Sequence, residues 1–257
     1  MPIAEPMKVF LTLLSRELKS FFYSPIAYVV LFYFLLLSGW NFYSIVAIMN
    51  GYPTEVTVVE AYFGQALFWF PFILSFPLIT MRVFSEEFRM GTYESLSTAP
   101  VHDWQVVLAK FFGVLLFYIV LWLPSLAFFG AFERITGRSV VNATGAYGGT
   151  YLLLLLLGMY YIAIGNLASA LTKDQINAAV ISFTTSTLLL FIGFLPDIFG
   201  ITSPAIKDLF SYISAVQHMQ DFSKGIIDSR PIVWYLSMTA LVTFLTLQVV
   251  QYRKWKA

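Results

Sequence analysis

The sequence predicts an all-α integral membrane protein. It reads as six transmembrane helices, with an amphipathic interfacial helix before the first and a short cytoplasmic helix between the second and third. Short outer helices are expected between the fifth and sixth, with both termini in the cytoplasm. Three observations lead there. Of 257 residues, 59% are hydrophobic and only 11% charged, less than half of the roughly 25% charge carried by a soluble domain. Mean hydropathy is +0.77, and 26 Phe, 15 Tyr and 6 Trp add an aromatic surface that so thin a charged cover cannot hide around one soluble core. The charges also fall in clusters, separated by runs as long as a bilayer requires. A soluble enzyme, a disordered chain and a nucleic-acid binder are excluded on composition. The net charge of +1 names no partner, and the lack of cysteine removes disulfides, thiolate catalysis and Cys-based metal sites.

A hydrocarbon core of about 30 Å needs roughly 20 apolar residues as helix. No charge occurs between Lys19 and Glu55, and the apolar stretch there runs from about 26 to 48. Uncharged runs of 21 residues after Glu60, 22 after Lys110, 34 after Arg138, 22 after Asp174 and 22 after Arg230 supply five more. The spans are therefore placed at about 61–81, 111–132, 150–171, 176–196 and 231–252. Lipid forces each to satisfy its own backbone, so each is a helix. With the N-terminus inside, ten Lys and Arg lie on the cytoplasmic side and five outside, which sets the orientation. The apolar run after Lys8 is too short for a cleavable signal. Residues 7–22 instead form an amphipathic pattern. Lys8, Thr12, Ser15, Arg16, Lys19 and Ser20 lie on one side, and Phe10, Leu11, Leu14, Leu18, Phe21 and Phe22 on the other. Val9, Leu13 and Glu17 fit less well. Such a helix lies in the interface as an anchor or offers a surface to a cytoplasmic partner.

No ionisable residue falls in the middle of a span, which argues against a proton- or ion-coupled carrier. The two halves show no repeat. A phosphate loop, a nucleophile elbow and an H-E-x-x-H zinc motif are all missing from the sequence. His102 and His218 fall on opposite sides of the membrane, so no metal site is expected. Polar residues within spans are mild: Asn41, Gln65, Asn166, Asn177 and the run Ser182, Thr184, Thr185, Ser186, Thr187. They serve as helix–helix hydrogen bonds worth roughly 0.6 kcal/mol each, or line a substrate path, for which Asn41, Gln65, Asn177, Thr184 and Thr187 are the candidates. Gly165 and Ser169 form a small-xxx-small pair that lets helices approach closely. Pro71, Pro77 and Pro124 are kink or packing positions.

Two loops carry most of the information. The cytoplasmic loop 82–110 is rich in charge yet holds Val83, Phe84, Phe88, Met90, Tyr93 and Leu96, more apolar residues than a free loop needs. Ser85 is a candidate helix cap, Gly91 and Thr92 a break, Pro100 a barrier, and Asp103 the N-cap of the third span. The outer segment 197–230 places Ser214, His218 and Phe222 on one helical stripe. Gly225 is its C-terminal stop, Asp228 caps the sixth span, and Arg230 sits at the headgroups.

The stretch R-x-F-S-E-E-x-R-x-G-T-x-E-x-L-x-T-x-P-V, continuing to W-x-V-V-L-x-K, runs from Arg82 to Lys110. It resembles the loop of ABC-2-type ABC transporter permeases that contains the coupling helix. The resemblance extends over nearly the whole chain. It implies that Arg82, Ser85, Glu86, Glu87, Phe88, Arg89, Gly91, Thr92, Glu94 and Leu96 meet an ATPase subunit. The outer stretch from Tyr212 to Arg230 resembles the gliding-motility-associated permeases and the nitrous-oxide-reductase maturation permease. Ser214, His218, Phe222, Gly225, Asp228 and Arg230 carry that likeness, as a plug of the outer mouth or a contact surface. The resemblance implies two ATPase copies that bind ATP and Mg, no cofactor on this chain, and a second permease copy or a related permease. It also implies an auxiliary membrane protein with a large outer domain, a location in the bacterial inner membrane, and either export or the transmission of force. The alternatives are a secondary carrier and a membrane enzyme built around Glu86 and Glu87.

Overall fold

The structure is a computed structural model and describes residues 6–51, 56–93, 101–137 and 144–256. All of its regular elements are helical. In order they are α1 (Pro6–Phe22), α2 (Pro25–Gly51), α3 (Val58–Gly64), α4 (Ala66–Thr80), α5 (Ser85–Met90), α6 (Asp103–Thr136), α7 (Thr144–Leu171) and α8 (Gln175–Phe191). A 3₁₀ turn at Ile192–Phe194 leads into α9 (Leu195–Ile198), α10 (Pro204–Ser211), α11 (Ala215–Ser223) and α12 (Ser229–Lys256). Six stretches are long and apolar enough to cross a membrane, α4 being counted together with the turn and α5 that follow it, and α8 together with the 3₁₀ turn and α9.

Burial sorts the six into two groups. The most apolar stretches of α4, α6 and α7 are 67%, 67% and 78% buried, against 28% for α2 and 22% for both α8 and α12. The first three form the centre. Their packing is aromatic and close: Phe76 stacks on Tyr118 and Tyr161, and Phe34 meets Trp122 edge-on. In lipid such contacts rest on shape, because the tails are as apolar as the side chains. Gly158 shows how tight the centre is. A β-carbon there would stand 2.2 Å from the Tyr118 ring, whose hydroxyl donates to the Leu154 carbonyl one turn away on the same helix.

Several boundaries differ from expectation. The span read at 61–81 is interrupted: α3 ends at Gly64 and Gln65 adopts an extended conformation before α4 begins. The bundle absorbs the break through Asn41, fully buried on α2, whose amide donates to the Tyr62 carbonyl. The third span starts at Asp103, eight residues earlier than expected, and stays helical through Pro124. Its N-cap is His102 and not Asp103, and Gln105 accepts from the His102 backbone N–H. Lys110 therefore lies inside α6 and does not end a loop. The fifth span runs Gln175–Ile198, close to the expected 176–196, with a 3₁₀ turn at Ile192–Phe194 inside it.

The face of α1 differs as well. Its buried residues are Leu13 and Glu17, two of the three that fit the amphipathic pattern worst, while Val9, Phe10, Leu14, Leu18 and Phe21 are half-buried. Leu13 packs with Val106 and Ala109 of α6, while Leu11 remains 54% exposed. The helix is held by protein on one side, so its apolar pattern is split between two surroundings.

Candidate functional site

α1, the end of α12, the start of α6 and the ends of α4 and α7 meet at one end of the bundle, the near end. α11 packs at the opposite, far end, against the start of α7 and against α3. The near end holds a charged cluster around α5. Lys110 is 2% exposed, and its ammonium lies 2.9 Å from Glu87 Oε1 and 3.3 Å from Glu17 Oε1. Arg16 closes the group, at 2.7 Å from Glu17 and 3.2 Å from Glu87. Burial pushes the Glu17 carboxyl up, but Lys110 and then Arg16 outweigh it and hold the group below its ordinary range. Gly113 makes the room: a β-carbon there would meet Glu17 Cβ at 3.0 Å. The cluster thus ties α1, α5 and α6 together. A second pair, Arg82 to Glu86 at 2.8 Å, spans one turn, and the Arg82 guanidinium also donates to Ser24 ahead of α2.

The start of α5 is capped from another helix. Ser169 Oγ on α7 accepts from the backbone N–H of Phe84 at 3.0 Å and of Ser85 at 3.1 Å, and donates to the Met81 carbonyl. Two of the four amides a helix start leaves open are met this way. Ser85 itself does not cap the helix. It is the first helical residue, and its hydroxyl donates back to Met81. One turn before Ser169, Gly165 lets α4 in so closely that a β-carbon would lie 2.2 Å from Thr80 Oγ1.

The other side of α5 is held by α12. Arg253 stacks over the Phe88 ring at 4.7 Å and donates to the Leu171 carbonyl at the end of α7. Lys254 reaches Asp103 at 3.0 Å. Beyond these ties α5 ends at Gly91, left-handed with φ +70°, where glycine bears little cost. Arg89, Met90, Gly91 and Thr92 form an exposed tip, whereas Phe84, Ser85 and Tyr93 are buried. Of the coupling residues read from sequence, Glu94 and Leu96 lie outside the described residues. The others gather here, divided into a buried base and an exposed tip. Sequence reading gives Lys110 as the end of the resembling loop without a role, gives Ser169 as a packing position, and does not single out Glu17 or Arg253 as members.

At the far end Ser214, His218 and Phe222 all face inward, at 5%, 7% and 0% exposure. Ser214 caps α11 by accepting from Gln217 N–H, Gly225 turns the chain at φ +86°, and Asp228 accepts from Arg230 N–H at the start of α12. His218 Nδ1 and the Tyr235 hydroxyl share a hydrogen bond of 2.9 Å. Burial lowers the His218 pKa from 6.5, more than Asp221 and Asp228 raise it. A depressed native value gives stability that is complete above about pH 6.5 and lost as pH falls through the native pKa. The melting temperature of the wild type is expected to fall between pH 6.5 and 5, and that of His218→Gln to stay flat. Parallel slopes for the two proteins in thermal unfolding would assign the pH response elsewhere.

The polar residues read as a substrate path do not form one surface. Asn41 is in the core, Gln65 sits at the α3–α4 break, and Asn177 and Thr184 are exposed on α8. Thr187 Oγ1 is buried without a hydrogen-bond partner, as are Ser182 and Ser186 Oγ on the same helix. Among the described residues no group of His, Cys, Asp and Glu is placed to hold a metal.

A family model described as ABC-2 family transporter protein matches residues 17–247. A comparison with curated proteins finds no match.

Proposed function

The chain belongs to the ABC-2 family of transporter proteins, and from that premise we propose that the exposed tip of α5 is where its ATPase docks. It is a multi-pass membrane protein and the permease subunit of an ABC transporter, and the family as a whole works with an ABC ATPase. The carrying observation is the contrast within α5. Its base is clamped by Ser169, Lys110 and Arg253, while Arg89, Met90, Gly91 and Thr92 are free to touch another protein. A handle needs both properties: an open end to be pushed and a rigid root to pass the push on. Binding of ATP and Mg by two ATPase subunits would move the tip, and α1, α6, α7 and α12 would follow. In this reading the near end is cytoplasmic, in a bacterial inner membrane, and α1 lies in the interface. A second permease copy covers the less buried helices, and α11 seats an auxiliary protein or closes the outer mouth. The work done is export or the transmission of force, with Asn177, Thr184 and Thr187 on the route of any cargo.

The test is co-purification from native membranes. Wild-type protein is expected to bring down a soluble ATPase, and the double variant Arg89→Glu, Met90→Asp to lose it without a change in melting temperature. Charge reversal at an interface costs several kcal/mol, and these two side chains are exposed. Recovery of the ATPase with both proteins would move the docking surface elsewhere. Its absence from both, under conditions that preserve such complexes, would end the ATP-coupled reading.

A further inference from the structure

We infer that the cleft beneath α5 is a phospholipid site, in which Arg16 and Arg82 hold the phosphate and the walls of α2, α4 and α6 hold the upper part of an acyl chain. The cleft has a volume of about 340 Å³. It is divided by chemistry. Arg16, Arg82 and Thr92 lie among the polar lining, and Ala27, Val30, Leu78 and Phe117 form the apolar lining. The division falls where a bilayer changes character. Pro25 opens α2 and Thr80 closes α4, so Ser24 and Arg82 stand at the ends of two spans. That is headgroup depth, where Arg and Lys anchor.

Charge alone does not choose the ligand, since Arg16, Arg82 and Lys110 face Glu17, Glu86 and Glu87 on the same lining. The hydrogen-bond inventory does. Each carboxylate already has a cationic partner, Lys110 and Arg16 for Glu17 and Glu87 and Arg82 for Glu86, and the one carboxylate oxygen left buried without a hydrogen bond to the described residues, Glu87 Oε2, suits a donor on the same ligand's headgroup. Each guanidinium retains donors. Among the described residues Arg16 spends only Nη2, and Arg82 only Nε and Nη1. A guanidinium carries five N–H donors in a fork that suits phosphate. The site can therefore take one more anion, and the apolar floor below requires that anion to carry a tail. A volume of about 340 Å³ receives one end of a lipid while the rest stays in the bilayer. Bound there, the lipid would brace α1 against α2 directly under α5, so the inference extends the proposed docking site without depending on an ATPase.

The experiment is native mass spectrometry of the intact protein released from a mild detergent, with phosphatidylglycerol, phosphatidylcholine, glycerol 3-phosphate or inorganic phosphate added. One phospholipid is expected to remain bound to the wild type. Occupancy should fall by about tenfold, the loss of one good contact, in Arg16→Gln, Arg82→Gln. Ala27→Trp fills the floor and leaves both cations in place, and it should lose the lipid equally. Arg230→Gln at the far end is the control and should keep it. The inference is overturned if Ala27→Trp retains the lipid, or if inorganic phosphate or glycerol 3-phosphate displaces it at matching concentration, which would make this a simple anion site. Preference between the two lipids fixes the headgroup: equal binding means that the phosphate alone is read. Thermal unfolding of each variant separates loss of lipid from loss of fold, since a folded Ala27→Trp that still binds one lipid refutes the site.

Discussion

Replacing Lys110 with alanine is expected to lower stability by about 3–5 kcal/mol, the cost of leaving buried carboxylates without their cation. Glu17 and Glu87 would lose a shared ammonium at 3.3 and 2.9 Å, and Arg16 alone is half exposed and reaches both from the edge. For a chain of this size each kcal/mol shifts the melting temperature by roughly 2–4 °C, so the drop should reach at least about 6 °C in detergent. The triple variant Glu17→Gln, Lys110→Met, Glu87→Gln should recover most of it, because removing a buried ionic group entire is often close to neutral. Thermal unfolding of the three proteins decides the matter. If the single variant melts with the wild type, the cluster is not holding α1, α5 and α6 together.

The second large effect is expected where α4 and α5 meet α7. Ser169→Ala leaves the Phe84 and Ser85 amides, both in buried residues, without an acceptor. An unmet buried donor costs about 1–3 kcal/mol. Gly165→Ala drives a methyl group to within 2.2 Å of Thr80 Oγ1, and overpacking of this kind costs typically 1–3 kcal/mol. Adding Thr80→Gly should relieve the second variant and leave the first unchanged. In the ATPase complex both single variants should dock normally, since the tip of α5 is untouched, and yet lose the dependence of ATP hydrolysis on the permease. A Ser169→Ala complex with unaltered permease-dependent hydrolysis would show that the clasp fixes the fold without passing on motion.

What could be read from the sequence followed from what lipid imposes. The bilayer sets a length and excludes charge, so six spans can be counted from the gaps between charges alone. Membrane composition says little about which helices lie at the centre, because α7 and α8 are both apolar and only contacts separate them. The same limit explains α1. An apolar residue such as Leu13 is needed equally by lipid and by protein, so periodicity reveals a face without naming its partner. Glu17 breaks that periodicity, and the break was the signal: its partner Lys110 stands 93 residues later. At the far end the local chemistry of turns was sufficient. Gly225 and Asp228 act as their positions suggest, because a left-handed turn and a helix cap are decided within a few residues. The site at the near end was half legible for the same reason. Its exposed residues lie in one continuous stretch, while Ser169 and Arg253 come from far along the chain and carry no local mark.

The reach of α12 has a consequence for how the protein is made. Arg253 and Lys254 complete the seating of α5 and of the start of α6, yet both are translated long after those elements have left the ribosome. Until α12 is inserted, Phe88 lacks its guanidinium and the end of α7 lacks a donor for Leu171. A partner that recognises the finished tip would find it correctly seated only on a chain with all six spans in place. If the complex is built on that tip, as proposed, its assembly would be ordered in time: a truncated or stalled chain would not present the finished surface.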